Sequence, residues 1–208
     1  GKPNWDRFAP IIIASLKGRS HWDAIESNAT KEMERLARSL PVWASFGEPI
    51  KGFGARSLAV ILGETGDLSN YANPAKVWKR MGLAVMDGVR QGGLRKSATA
   101  EDWIAHGYNA NRRSFMFVIG DVLVKSQNPY RELYLARKEI ERAKAEAAGL
   151  TVAPSAKIPA KRKDEFMSDG HVHRRAQRYM EKRLLKDLWR AWRQAIPGEE
   201  PICALLAA

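Results

Sequence analysis

Apolar residues recur along this chain mainly at intervals of three and four, the period of helices that bury one face. Thr30 can cap a helix that carries Met33, Leu36, Ala37 and Leu40 on one side. Pro41 and Pro49 bracket a shorter one through Trp43 and Phe46, and residues 55–64 are helical by propensity. Asn73-Pro74 is a helix start, with asparagine as cap and proline in the first turn; that helix carries Val77 and Trp78 and stops at Gly82. Asn111 opens a periodic helix whose apolar face is Phe115, Val118, Ile119, Val122 and Leu123. Asn128-Pro129 ends it and starts another, through Tyr130, Leu133, Tyr134 and Ile140 to Gly149. The last helix runs from about His171 to Ala195, and Pro197-Gly198 closes it.

The rest is less regular. Residues 1–29 hold Trp5, Phe8, Ile11, Ile12, Ile13, Leu16 and Trp22, interrupted by Pro3, Pro10 and Gly18, and predict an extension of short helices. Residues 83–107 are rich in glycine and polar groups and predict loop, with room for one short strand at 83–85. Residues 150–170, with Pro154, Pro159 and the charged run from Lys157 to Glu165, predict a linker, and residues 197–208 a loose tail. The expected fold is mostly α. A helical core at 30–149 follows the extension, and a long basic amphipathic helix at 171–196 follows the linker. No internal repeat is present.

Charge changes the picture. The 208 residues carry 35 Lys+Arg against 23 Asp+Glu, a formal +12, and 45% of them are hydrophobic, so the chain folds and its surface attracts polyanions. Nucleic acid is the first partner to expect, with an anionic membrane surface as the rival. No apolar run reaches the ~20 residues of a membrane span, and Ile11-Ile12-Ile13 is too short for a signal sequence. One cysteine, Cys203, excludes an internal disulfide and a multi-cysteine zinc site. These features point to the cytoplasm. The chain begins on Gly1 and not on Met, as a piece of a longer protein would.

Two segments carry candidate chemistry. Pro49-Ile50-Lys51-Gly52-Phe53-Gly54-Ala55-Arg56-Ser57 reads as a helix–hairpin–helix: the glycines permit a tight turn, Phe53 anchors it, and the next helix points free N–H groups outward. Lys51, Gly52, Gly54 and Arg56 are then candidates to hold a DNA phosphate. The plain alternative is a structural corner between helices. The terminal helix, placed on a wheel, puts Ala176, Met180, Leu184, Leu188, Ala191 and Trp192 on one half. The other half holds Arg174, Arg175, Arg178, Lys182, Arg183, Lys186, Arg190 and Arg193. Eight basic residues against Glu181 and Asp187 put half the chain's net charge here. Arg175, Arg178, Lys182, Lys186 and Arg190 are the DNA-binding candidates. Tyr179, Leu185 and Trp189 interrupt them and can stack on bases or pack under arginines. His171 and His173, at a helix start and without a third ligand, do not read as a metal site.

From about Lys31 to Arg193 the order of motifs resembles the C-terminal domain of insertion-sequence transposases related to the Piv/MooV DNA invertases. The hairpin comes first. Gly63-Glu64-Thr65-Gly66-Asp67-Leu68-Ser69-Asn70-Tyr71 follows, then Pro74-Ala75-Lys76-Val77-Trp78, Met81-Gly82-Leu83-Ala84, a glycine-rich loop and a basic stretch from Gly107 to Arg113, with Arg112 and Arg113 as DNA-binding candidates. The resemblance implies a part of a recombinase acting in DNA transposition. Carboxylates of an N-terminal RuvC-like domain would hold magnesium, a loop serine would trap a DNA end as an ester, and a structured guide RNA and a homo-oligomer would complete the assembly.

The chain departs from that family at several points. Lys51 replaces the hairpin's proline and Val85 the proline after Gly-Leu-x. Gln91-Gly92-Gly93 stands where the family has Ser-Gly-Gly, and glutamine is no nucleophile. Ser97 is the nearest substitute and the one catalytic candidate. Glu32, Glu34, Asp67, Asp102 and Asp121 are scattered and form no metal set, so catalysis by this chain alone is not expected. The alternative is a non-catalytic nucleic-acid-binding or assembly module of that ancestry. The apolar halves of the long helices also allow self-association.

Overall fold

The structure is a computed structural model that describes residues 5–195; the expected tail and Cys203 lie outside them. Helices dominate, as the spacing predicts. In chain order they are α1 (Trp5–Ser39), a single π-helical turn (Trp43–Gly47), α2 (Ala55–Thr65), α3 (Pro74–Arg80), α4 (Ala100–His106), α5 (Ala110–Lys125), α6 (Pro129–Ala147) and α7 (Asp169–Ala195). The strands are short: β1 (Val85–Met86) pairs antiparallel with β2 (Val89–Arg90), and β3 (Thr151–Ala153) pairs parallel with β4 (Phe166–Ser168).

Both Asn-Pro signals work by the expected chemistry. The Asn73 side chain accepts from the Lys76 N–H and Asn128 from that of Arg131, and Pro74 and Pro129 occupy first-turn positions where no N–H is needed. Asn128 also donates to the carbonyl of Lys51, at 3.0 Å, so the start of α6 holds the turn at Gly52 in place.

Several expectations need correction. The N-terminal extension and the Thr30 helix are one helix, α1. Pro10 removes only one backbone bond near its start, and Gly18 costs about 1 kcal/mol against alanine, too little to break so long an element. The expected loop at 83–107 contains the β1–β2 hairpin and α4. Thr99 and Asp102 close a capping box at the start of α4, a local signal that sits among glycines and polar residues. Helix α5 is capped by Asn109 and not Asn111, and buries Met116, Ile119, Gly120 and Leu123. Phe115, Val118 and Val122, expected inside, are exposed. Apolar residues surround α5, and Gly120 decides which side goes in: a Cβ there would lie 2.6 Å from the Glu181 carboxylate, so only glycine lets α7 come so close. Ile140 of α6 is likewise exposed, while Tyr130, Tyr134, Glu141 and Ala145 are buried. Between α6 and α7, residues 150–170 hold the β3–β4 pair and two short 3-10 turns.

Helix α7 runs through the centre of the packing. Nine of its residues are buried, and it contacts α3, α5 and α6 together with the 3-10 turn Leu68–Asn70. Leu185, expected among the basic residues, is fully buried. Three indole N–H groups stitch α7 to the segment 67–78. Trp192 donates to Asp67 Oδ1 at 2.8 Å, Trp189 to the Tyr71 carbonyl at 2.9 Å, and Trp78 to the Lys182 carbonyl at 2.9 Å.

Trp192 is only 2% exposed. Trp192→Ala leaves a large cavity and strips a partner from Asp67, and should cost about 3–5 kcal/mol of unfolding free energy. Urea titration followed by circular dichroism measures it.

Candidate nucleic-acid interface

Because α7 is packed on several sides, its cations are confined to a strip narrower than the half-circle the wheel suggests. Arg175, Arg190 and Arg193 are exposed there, and Arg178, Lys182 and Lys186 are half-buried. Cationic side chains sit over the aromatic rings here, although Tyr179 itself stays exposed. Lys182 lies over Trp78 at 5.3 Å, Arg193 over Trp189 at 4.6 Å, and Arg137 of α6 over Tyr179 at 4.6 Å. Of the two roles open to these rings, packing under cationic side chains is the one the structure displays.

The fold brings a basic cluster together from three distant segments: Arg90 of β2, Arg113 of α5, and Arg178 and Lys182 of α7. Burial, followed by repulsion from Arg113 and Arg90, holds the Arg178 guanidinium below its ordinary value; burial and then Arg178 do the same to Lys182. Arg90 also presses on His171, which burial and then Arg175 and Arg174 already shift down. Arg90 was not a candidate from the sequence. Only the β1–β2 turn carries it to α7, and nothing in a single Val-Arg pair signals that.

Beneath this cluster sits a buried acid. Glu181 is fully buried and accepts from Arg113 at 2.9 Å. Its pKa is pushed up to about 7, because burial outweighs the pull of Arg113 and Arg178. Beside it, Gln177 donates to the Phe117 carbonyl at 2.9 Å.

Other candidates are engaged in ion pairs. Arg112 pairs with Glu64 at 2.5 Å, and Arg175 with the buried Glu141 at 3.3 Å, which Arg137 also grips. Lys186 and Arg190 form no ion pair among the described residues, and nothing gathers them with the Arg90 cluster.

Lys51, Gly52, Gly54 and Arg56 lie in the turn before α2 and in its first residues. Gly52 has φ +92°, and its Cα faces Val122 of α5 and Ser126 just past its end so closely that a Cβ would sit 2.5 Å from the Ser126 hydroxyl. Phe53 is buried, edge-on to Phe46 at 5.7 Å. Gly54 precedes α2 without a side-chain cap, and Lys51, Gly54 and Arg56 are exposed. Arg56 is not turned wholly to solvent, since it lines a cleft with Asp23 and Glu26 of α1.

The glycine loop is tied down by its own residues. Gln91 is buried and donates to the His106 carbonyl at 3.0 Å, and the His106 ring meets the Gly92 carbonyl at 2.8 Å. Ser97 lies exposed in the turn before α4, and among the described residues no base is hydrogen-bonded to it. His173 is bonded through Nδ1 to the Tyr134 hydroxyl at 2.7 Å. Among the described residues no three His, Cys, Asp or Glu side chains gather as a metal set, and no helix is long and apolar enough to cross a membrane.

Gly52→Val forces a β-branched residue into the left-handed region against Ser126 and should lower the melting temperature, whereas Gly54→Ser, with open space around it, should not. The raised Glu181 pKa means that the folded state favours its protonated form. That contribution to stability is complete below about pH 4.5 and disappears as pH rises through about 7. Unfolding free energy should therefore fall between pH 5 and 7.5, and Glu181→Gln should flatten that slope. An unchanged slope in the variant would show that another group carries it. Comparison with family models, with curated proteins and with solved structures found no match to the chain.

Proposed function

We propose that this chain binds nucleic acid, DNA first, as the DNA-binding part of a transposase-like recombinase. The observation that carries the reading is the cluster of Arg90, Arg113, Arg178 and Lys182. Four cations from three segments crowd over one buried acid, whose charge Arg113 already uses. Such a cluster repels itself, and a phosphate backbone relieves that repulsion while releasing the counterions of the nucleic acid. The exposed turn at Lys51, Gly54 and Arg56 offers a second backbone contact, with free N–H groups at the start of α2.

The transposase element of the reading rests on the order of motifs from the hairpin to Arg113. On that reading this chain positions DNA, and a structured RNA where one takes part, in the cytoplasm. The carboxylates and magnesium would belong to a separate RuvC-like domain, and Ser97 is the one residue here offered as nucleophile. The buried, tethered Gln91 favours a second reading, a binding module without catalysis. The glycine loop is locked to α4 through Gln91 and His106, and no base accompanies Ser97.

The experiment is a salt titration of binding to a short DNA duplex and to a hairpin RNA. The slope of log affinity against log salt should correspond to ~5 or more neutralised phosphates. Replacing Arg90, Arg178 and Lys182 together by glutamine should reduce that slope by about 0.9 for each phosphate left without its cation. The melting temperature should hold or rise, because like-charge repulsion is removed. Unaltered affinity and slope in the triple variant would place the nucleic-acid surface elsewhere. Absence of binding at low salt would overturn the reading altogether.

A further inference from the structure

The two oxygens of Glu181, the acid beneath the basic cluster, are not equivalent. Oε2 accepts from Arg113 at 2.9 Å, and the side chain is wholly shut off from solvent. Oε1 is buried and has no hydrogen-bond partner. One turn back on α7, the Gln177 carbonyl oxygen is buried and unpartnered too, while its amide nitrogen donates to the Phe117 carbonyl. Both side chains end against Gly120 of α5. A Cβ there would lie 2.6 Å from Glu181 Oε1 and 2.7 Å from the Gln177 nitrogen. The pair thus holds two buried acceptors and no donor for either. A proton on Oε1 removes the cost of a buried anion and supplies a donor where none exists.

Cations pull the other way. Arg113 of α5 is bonded to Glu181, and Arg178 of α7 attracts it through space. Arg90 of β2 and Tyr108, ahead of α5, act on Arg178, which in turn acts on Lys182. Helix α3 meets α7 through the uncharged Trp78, and the buried acid of α6, Glu141, is held by Arg137 and Arg175. His171 of α7 feels Arg175, Arg174 and Arg90 and is the neighbouring group that titrates nearest neutrality. A phosphate that docks on Arg113 and Arg178 takes away the charge that keeps Glu181 ionised.

We propose that Glu181 links anion binding at this cluster to protonation: a docked phosphate draws Arg113 from Glu181, and Glu181 takes up one proton. The proton comes from solvent and adds to the carboxylate, and the Arg113–Glu181 ion pair is the bond that breaks. The proposal rests on the reading of the cluster as a nucleic-acid surface. Burial already pushes Glu181 up to about 7 in the free protein. By linkage, a ligand that raises it further binds more tightly where Glu181 is protonated. Affinity should therefore be level below about pH 6, and above about pH 7 should fall by at most tenfold per pH unit. An ion pair at this distance lowers a carboxyl by about 1–3 pH units, so its loss is worth about tenfold or more.

The test uses the whole chain and a short DNA duplex at one fixed salt concentration, with affinity read by fluorescence anisotropy and folding checked by melting at each pH. The parent should lose about tenfold in affinity between about pH 6 and pH 9. Glu181→Gln, neutral throughout, should match the parent at the acid end and bind about tenfold more tightly than it at the alkaline end. His171→Gln should keep the parent's profile. Calorimetry of the parent needs no variant: in two buffers of different ionisation enthalpy at about pH 7.5, binding should take up about half a proton. Glu181→Gln should take up none. The proposal fails if parent and Glu181→Gln share one pH profile, or if the gain in the variant persists at the acid end, as for a permanently ionised glutamate. It fails equally if His171→Gln abolishes the profile or if the parent takes up no proton. In each of these cases the cluster remains a binding surface. Absence of binding at every pH overturns the reading of the cluster itself, and this proposal with it.

Discussion

Three indole N–H bonds hold this fold in register. Trp78, Trp189 and Trp192 join α7 to the segment 67–78, and each bond reaches across more than a hundred residues of chain. An indole N–H turned into the packing requires an acceptor, and each finds one at a fixed place: a carbonyl on either side of the interface and the Asp67 carboxylate. Asp67 serves twice, since the same oxygen also accepts from the Ser69 N–H in the 3-10 turn. With α7 pinned along this line, its opposite side is free to pack on α6 and its middle on α5.

That packing sets the electrostatics. A helix with eight cations can occupy the centre of a protein only if its buried sectors are apolar or paired. Glu181 answers Arg113, Glu141 of α6 answers Arg175 and Arg137, and Asp187 answers Arg183 and receives the Tyr130 hydroxyl at 3.2 Å. Arg178 and Lys182, left without a carboxylate, come to lie beside Arg90 of β2 and Trp78 of α3. The basic surface is thus partly a residue of core packing, which is why it draws on Arg90 and Arg113 as well as on α7.

Glycine plays two separate parts. Gly52 supplies a positive φ in a turn that Asn128 and Ser126 hold from the far side. Gly120 supplies no unusual conformation, only the absence of a side chain where α5 and α7 approach most closely. The first role can be inferred from a Gly-Phe-Gly pattern. The second cannot, because it depends on a neighbour 61 residues away.

The amino-acid order by itself determined the helical class, both Asn-Pro starts, the anchoring of Phe53 and the long charged helix at the C-terminal end of the described chain. Each follows from local spacing or a capping side chain, and local energies decide them. It also contained the Thr99–Asp102 capping box, a local signal set among glycines. Tertiary structure alone decided which side of α5 turns inward, that Leu185 is core, that Arg112, Arg113 and Arg175 face carboxylates, and that Arg90 joins α7. Those outcomes depend on contacts between segments far apart in the chain, and periodicity carries no information about such partners. Helix α1 lies between the two cases. Its apolar residues, Ile11, Trp22 and Ile25 among them, are visible in the sequence, but only the fold reveals that nothing in the described chain covers them, because burial is a property of what a face meets.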